Sequence, residues 1–190
     1  MPGFDERGLI ERMRRGDESG FNSLIAHYMQ KSYGLAFRMM GNDSDTREMI
    51  QEACIKAYKK LHQFDLDCPF GPWFLRIVVN TCLNQLKRNR LRIFFSLSDP
   101  ESIDIESFEQ KSAEVANPEE QVIANERVRI IEKALLKVPL KQRAALILYD
   151  MEGYNQKEVA DILGCPVGSV MSRVYYGRKR LKNILQKYFV

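Results

Sequence analysis

Apolar residues recur at three- and four-residue steps along most of the 190-residue chain, and no stretch alternates as a half-buried strand would. A short amphipathic turn carries Leu9, Ile10 and Met13 and ends at Gly16. A longer helix follows, with Phe21, Leu24, Ile25, Tyr28, Ser32, Leu35, Ala36 and Met39 on one face and Gly41 as its stop. The spacing predicts a third helix opening at Asp45, with Glu48 closing a capping box, that buries Ile50, Ala53, Cys54, Ala57 and Leu61. Phe64 to Pro72 holds two aspartates, two prolines and a glycine and reads as a loop. A fourth helix is predicted from about Trp73 to Arg88, with Phe74, Leu75, Val78, Val79, Cys82, Leu83 and Leu86 inward.

The periodicity lapses from Ser96 to Ala116, where Ser, Asp and Glu dominate, and this stretch reads as a flexible linker. It resumes at Asn117-Pro118-Glu119-Glu120, a capping side chain followed by proline and carboxylates at the positive helix end. The helix so opened carries Val122, Val128, Ile131 and Leu135 and stops before Pro139. Another holds Ala144, Ile147, Leu148 and Met151 and ends at Gly153. Two more follow, Gln156 to Leu163 and Val170 to Lys187, separated by Gly164-Cys165-Pro166-Val167-Gly168. Asn155 with Glu158 caps the first of this pair, and Ser169 is placed to cap the second. The architecture expected is all-α: an N-terminal helical domain over 1–95, an acidic linker over 96–117 and a C-terminal helix-turn-helix domain over 118–190.

Charge sharpens this division. The whole chain carries a net +4, but residues 1–95 hold 15 basic and 11 acidic side chains, 96–126 one and nine, and 127–190 13 and five. Two basic blocks flank an acidic one, which points to two units facing a polyanion and a connector that avoids it. With 45% hydrophobic and 28% charged residues the chain is not a wholly disordered one. Its longest strictly apolar run, Ala144 to Tyr149, is far short of the ~20 residues of a membrane span. No secretion signal is expected at the start, and a cytoplasmic location follows. Cys54, Cys68, Cys82 and Cys165 form no CxxC pair, and neither His27 nor His62 has ligand spacing to them, so no metal and no cofactor are expected. Phosphate-binding loops and nucleophile elbows are missing too, and the chain reads as a non-enzyme.

Three surfaces then carry candidate chemistry. On the last helix Val170, Val174, Leu181, Ile184 and Leu185 form an apolar stripe, leaving Met171, Ser172, Arg173, Tyr175, Tyr176, Arg178, Lys179 and Lys182 outside. No acidic residue occurs from Pro166 onward, and a basic-aromatic helix face suits a DNA major groove. Gly177, inside that helix, costs ~1 kcal/mol relative to alanine and implies close packing or approach to a partner. On the fourth helix Arg76, Asn80, Asn84, Lys87 and Arg88 line up opposite the core stripe, with no acidic residue from Cys68 to Ser98. Phe64, Phe70 and Trp73 sit beside it, either as stacking platforms for unpaired bases or as core aromatics. On the third helix Glu48, Gln51, Glu52 and Ile55 form a face with an exposed isoleucine, fit for a basic protein partner or simply solvated.

The stretches DTREMIQEACIKAYKKLHQF, PWFLRIVVNTCLNQLKRNR and YNQKEVADILGCPVGSVMSRVYYGRKRLK, in this order and spacing, resemble the bacterial sigma factors of the extracytoplasmic-function (ECF) class of the sigma-70 family. The resemblance implies an alternative sigma factor that binds core RNA polymerase through the β′ clamp helices and the β flap. It implies promoter DNA and an anti-sigma factor as further partners. Glu48, Gln51, Glu52 and Ile55 would then contact the clamp helices. Phe64 and Asn80 would capture a flipped minus-ten base, with Trp73, Arg76, Asn84, Lys87 and Arg88 around it. Met171, Ser172, Arg173, Tyr175, Tyr176, Arg178 and Lys179 would face the minus-thirty-five major groove. The sequence departs from the usual pattern at Glu48, Met171 and Tyr175-Tyr176-Gly177, which leaves the promoter sequence open. The residues alone also fit a stand-alone helix-turn-helix regulator, or an adaptor that binds polymerase without reading DNA.

Overall fold

The computed structural model describes residues 4–96 and 119–188; of the expected acidic linker, Ser96 ends a helix and residues 97–117 lie outside the described residues. Eight α-helices occur among the described residues, with no strand: α1 (Glu6–Arg14), α2 (Glu18–Met40), α3 (Asp43–Lys60), α4 (Phe70–Ser96), α5 (Glu119–Leu136), α6 (Leu140–Leu146), α7 (Gln156–Leu163) and α8 (Gly168–Leu185). A 3₁₀ turn, Leu61–Gln63, ends α3, and a wide π turn, Ile147–Met151, prolongs α6.

The caps explain where each helix begins. Asp5 and Asp17 accept backbone N–H bonds at the starts of α1 and α2. The start of α3 differs from the expected Asp45: Asn42 is the cap, accepting from Asp45 N–H at 2.8 Å, while Thr46 Oγ1 donates back to the Asn42 carbonyl. Asparagine caps as well as aspartate, so the earlier of two good signals opened the helix. Helix α4 begins at Phe70 rather than Trp73, because Glu6 of α1 accepts the Phe70 N–H at 3.2 Å and supplies the cap from a distant helix. It also runs on past Arg88 to Ser96. Asn155 and Glu158 form the expected capping box on α7. Ser169 does not cap α8, which starts two residues earlier than expected, behind Val167 and without a side-chain cap. Gly41 and Gly164 close α2 and α7 at φ +84° and +58°, a left-handed turn that glycine adopts without the steric cost of a Cβ.

Helices α1 to α4 pack pairwise around Leu24, Leu35, Met39, Met49, Leu61, Phe70, Phe74 and Leu75, all 2% exposed or less. Helices α6 and α8 pack around Ile147, Leu148, Val170 and Val174, with α7 against them. Two positions read as inward from periodicity turn out exposed: Val128 on α5 and Met151 in the π turn. The π turn widens the helical repeat, so a 3.6-residue count drifts off the core face by Met151. The two sets of helices meet along α4–α7 and α2–α5, and the buried apolar residues form one continuous core across that seam. Periodicity within each helix carries no information on such a seam.

Candidate nucleic-acid and polymerase interfaces

On α3, the buried face of Thr46, Met49, Ile50, Ala53 and Ala57 turns the opposite positions outward. Glu48, Gln51 and Ile55 are exposed and Glu52 is half-buried, so the four stand together as the spacing required. Ile55 keeps 49% of its surface in water beside two carboxylates. Lys56 pairs with Glu52 on the same helix and donates to Thr81 Oγ1 on α4 at 3.2 Å. That link fixes the edge of the α3 face relative to α4.

On α4, Arg76, Asn80, Asn84, Lys87 and Arg88 are all exposed. At 100° per residue the first four fall within ~80° of arc, directly opposite the buried Phe74, Val78 and Cys82. The stripe therefore presents two asparagine amides between cations, with no carboxylate on the same helix. Leu91, 57% exposed, continues it, a position that sequence reasoning passed over because the helix was expected to end at Arg88.

The aromatic residues near this stripe divide. Phe64 is 4% exposed, with its ring 4.9 Å from Trp73 and 5.8 Å from Phe70. Phe70 is fully buried and stacks on Phe74 at 5.8 Å, and Trp73 is half-buried on top of the group. In this structure the Phe64 ring is part of the wall behind Trp73. Arg14, far away in sequence, donates to the Phe64 carbonyl and ties the loop to α1. Tyr28 donates to Glu6, and burial together with that carboxylate holds its hydroxyl well above the ordinary phenol range. Glu6 and Arg14 thus shape the loop, a role with no local sequence signal.

On α8, Val170, Val174 and Gly177 are buried. Ser172, Tyr176 and Lys179 point directly away from that face, with Tyr175 beside them and Asn183 one turn on, a residue the sequence reading did not select. Tyr175 and Tyr176, 62% and 56% exposed, stand edge to face at 5.3 Å. Met171 is exposed on one flank, and Arg173 lies half-buried on the other. Arg178 is exposed but committed, since its Nε donates to Asp150 Oδ2 at 2.8 Å and its Nη2 reaches the other oxygen. The Asp150 carboxylate holds the guanidinium further above its ordinary range. Arg178 therefore ties α8 to the π turn, and Ser172, Tyr176 and Lys179 are the outermost groups. Between α5, α6 and α8 lies an apolar groove of about 490 Å³, lined by Ile131, Leu135, Leu146, Met151, Leu181 and Leu185. Three helices build it, so no single periodic segment announced it.

Cys54, Cys68, Cys82 and Cys165 are free thiols. Cys82 is buried, and desolvation pushes its thiol up to about 12. Among the described residues no group of His, Cys, Asp and Glu could hold a metal ion, and no helix is long and apolar enough to cross a membrane.

Two stretches of the chain match known families. Residues 24–92 match sigma-70 region 2, and residues 129–181 match sigma-70, region 4. The chain is 36% identical over 180 residues to the ECF RNA polymerase sigma-E factor of Escherichia coli K12, covering 94% of this chain and 93% of that protein. It is 33% identical over 183 residues to the RNA polymerase sigma-H factor of Pseudomonas aeruginosa, covering 95% and 94%. Its fold is similar to that of the sigma factor RpoE in complex with the anti-sigma factor NepR from Bartonella quintana, at TM-score 0.67 and 24% identity over 87% of this chain and 96% of that one. It is also similar to CnrH in complex with the cytosolic domain of CnrY, at TM-score 0.65 and 23% identity over 97% and 99%. With helices in the order of regions 2 and 4 and this likeness along nearly its whole length, the chain belongs to the ECF class of the sigma-70 family of RNA polymerase sigma factors.

Proposed function

We propose that this sigma factor divides promoter recognition between α4 and α8 and reserves α3 for the polymerase. The observation that carries the reading is the α4 stripe: Arg76, Asn80, Asn84 and Lys87 are exposed in a row, free of carboxylates, beside the half-buried Trp73. Asparagine amides donate and accept, so they can satisfy a base edge that has lost its partner, while the flanking cations neutralise phosphate. Unstacking a base costs a few kcal/mol, and stacking on an aromatic ring returns ~1–3 kcal/mol per base. In this reading Trp73 and Asn80 take the flipped minus-ten base, and Phe64 supports Trp73 from behind.

Helix α8 reads the minus-thirty-five element as duplex, with Ser172, Tyr176 and Tyr175 at base edges and Lys179 at phosphate. Arg178 positions the helix through Asp150 rather than reading a base. The β′ clamp helices take Glu48, Gln51, Glu52 and Ile55, where a basic partner with an apolar patch would cover the exposed isoleucine. The β flap takes the groove between α5, α6 and α8, whose apolar walls suit one face of an amphipathic helix. An anti-sigma factor, the kind of protein with which the sigma factors of similar fold were solved, would block the chain by occupying the α3 face or this groove. The chain works in the cytoplasm, supplies no catalysis of its own, and leaves nucleotide addition to the polymerase.

The test is Asn80→Ala in a reconstituted holoenzyme. Gel filtration with core polymerase should show an unchanged stoichiometric complex, while run-off transcription and permanganate reactivity of minus-ten thymines both fall. Permanganate reactivity equal to wild type would remove Asn80 from the melting step. Tight duplex binding without polymerase, and none to core enzyme, would instead identify a stand-alone regulator.

A further inference from the structure

The first turns of α8 carry an apolar strip along one exposed flank, next to the outermost row of Ser172, Tyr176 and Lys179. Val167 precedes the helix but already has helical backbone angles, φ −53° and ψ −43°. Val167, Met171 and Tyr175 therefore follow one another at i, i+4 and i+8, the spacing at which helical side chains are neighbours. They are 45%, 39% and 62% exposed. A single exposed hydrophobic residue is ordinary, whereas three in line make a continuous surface. The strip is held at both ends. Gln156 Nε2 of α7 donates to the Val167 carbonyl at 2.9 Å, and the Tyr176 ring stands edge to face against Tyr175 at 5.3 Å. Beside the strip, Ser172 Oγ donates its only proton to the Ser169 carbonyl at 2.9 Å, so toward a ligand it is an acceptor. From Val167 to Tyr176 the one cation is Arg173, half-buried on the opposite flank, and Arg178 is tied to Asp150. The guanidinium groups that usually read guanine are thus turned away from this surface or already engaged.

We propose that Val167, Met171 and Tyr175 read the C5 methyl groups of thymines, so that the minus-thirty-five element this chain selects is built on A·T rather than G·C pairs. In the major groove thymine shows a methyl group and one acceptor, adenine an acceptor and an amino donor, and guanine two acceptors. An apolar side chain gains by covering the methyl group and has nothing to offer guanine. Ser172, its proton committed, accepts from an adenine amino group; it would accept equally from cytosine, so the methyl contacts decide between the pairs. Eight residues at 1.5 Å rise set Val167 and Tyr175 about 12 Å apart, the length of about three to four base-pair steps at ~3.4 Å. Side-chain length grows from valine through methionine to tyrosine, which suits a helix that meets base edges with its N-terminal residues and lifts away behind them. Charge favours DNA over a protein as the occupant. No acidic residue occurs from Pro166 to the C-terminus, and Lys182 stands two turns beyond Tyr175 on the same line with Lys179 beside it, placed to neutralise phosphate at the groove edge. Methyl reading rests on the assignment of α8 to the minus-thirty-five duplex given above, and adds to it the class of base and Val167.

The experiment uses holoenzyme assembled from the full chain and core polymerase, which first enriches promoters from a randomised duplex library. Each thymine of the enriched minus-thirty-five element is then replaced in turn by deoxyuridine, which keeps the base pair and removes only the methyl group. At two or more positions the replacement should weaken binding about fourfold, the worth of one buried methyl group. In Met171→Ala holoenzyme one of those positions should bind thymine and deoxyuridine alike, while the others keep their difference. Met171→Leu, which retains an apolar group, should keep all of them. Val167→Ala and Tyr175→Ala repeat the test at the two ends of the strip, and a variant that merely folds poorly would weaken every position together. Enrichment repeated with Met171→Arg should shift its position from thymine toward guanine. Equal binding of thymine and deoxyuridine promoters by the wild-type holoenzyme overturns methyl reading. Uracil sensitivity that survives all three alanine variants also overturns it and assigns the effect to DNA deformability. An enriched minus-thirty-five element of G·C pairs overturns methyl reading alone, whereas a library from which holoenzyme enriches nothing overturns the promoter reading and methyl reading with it.

Discussion

Gly177 sits in the middle of α8, where helix propensity alone argues for replacing it with alanine. An exposed helix-interior Gly→Ala change stabilises by about 0.5–1 kcal/mol, through lost backbone freedom in the unfolded chain. The packing here argues the other way. A Cβ at position 177 would lie 2.7 Å from Leu146 Cδ1, 3.0 Å from Leu146 Cγ and 3.3 Å from the Gln142 carbonyl oxygen. Leu146 is 4% exposed and can swing only partly aside, and the carbonyl belongs to the α6 backbone and cannot yield without moving the helix. Overpacking of this kind costs about 1–3 kcal/mol, so Gly177→Ala should leave a net loss of up to about 2.5 kcal/mol. For a chain of this size that is a fall in Tm of up to roughly 10 °C. Because α6 and α8 would be pushed apart, the loss should come with weaker minus-thirty-five binding. Chemical denaturation, with m unchanged, measures the first effect, and a duplex titration by holoenzyme measures the second. Adding Leu146→Ala should recover part of the clash while losing its own packing, giving a double variant less destabilised than the sum of the singles. A Gly177→Ala protein more stable than wild type would refute the close approach of α6 and α8.

Two further outcomes follow from the described contacts. Burial raises the Cys82 thiol from 9.0 to about 12, so above pH 9 the unfolded chain releases a proton that the native state retains. This contribution is fully present below pH 9 and is lost at about 1.4 kcal/mol per pH unit as pH rises toward 12. Denaturation curves at pH 8, 9.5 and 10.5 should therefore decline less steeply for Cys82→Ala than for wild type, and parallel declines would count against a buried thiol at this position. Lys179→Ala on the outer face of α8 should weaken minus-thirty-five binding about equally for consensus and altered sequences, and reduce the slope of log affinity against log salt by about one. A sequence-dependent loss would make Lys179 a base-reading residue instead.

The α3 and α4 faces were legible in the residues because each helix was long and its apolar stripe sufficient. Once Ile50, Ala53 and Ala57 were inward, Glu48, Gln51 and Ile55 had to be outward. The same reasoning placed Asn80 and Asn84 opposite Val78 and Cys82. Phe64 escaped it, because a residue in a loop has no periodicity to say whether it faces water, and its burial depends on Arg14, Phe70 and Trp73 arriving from elsewhere. Arg178 escaped it as well, since its partner Asp150 lies 28 residues away across a π turn that breaks the helical count.

The sequence by itself determined how many helices lie in the described stretches and roughly where, which faces are basic, and that the acidic stretch falls between two basic blocks, because propensity, local capping and charge are local properties of the chain. Tertiary structure alone decided that Gly177 lets α6 and α8 close on each other, that Glu6 caps a helix it does not belong to, and that the two basic units share one core. Those outcomes depend on which apolar faces find each other across a hundred residues, and no local signal encodes that choice.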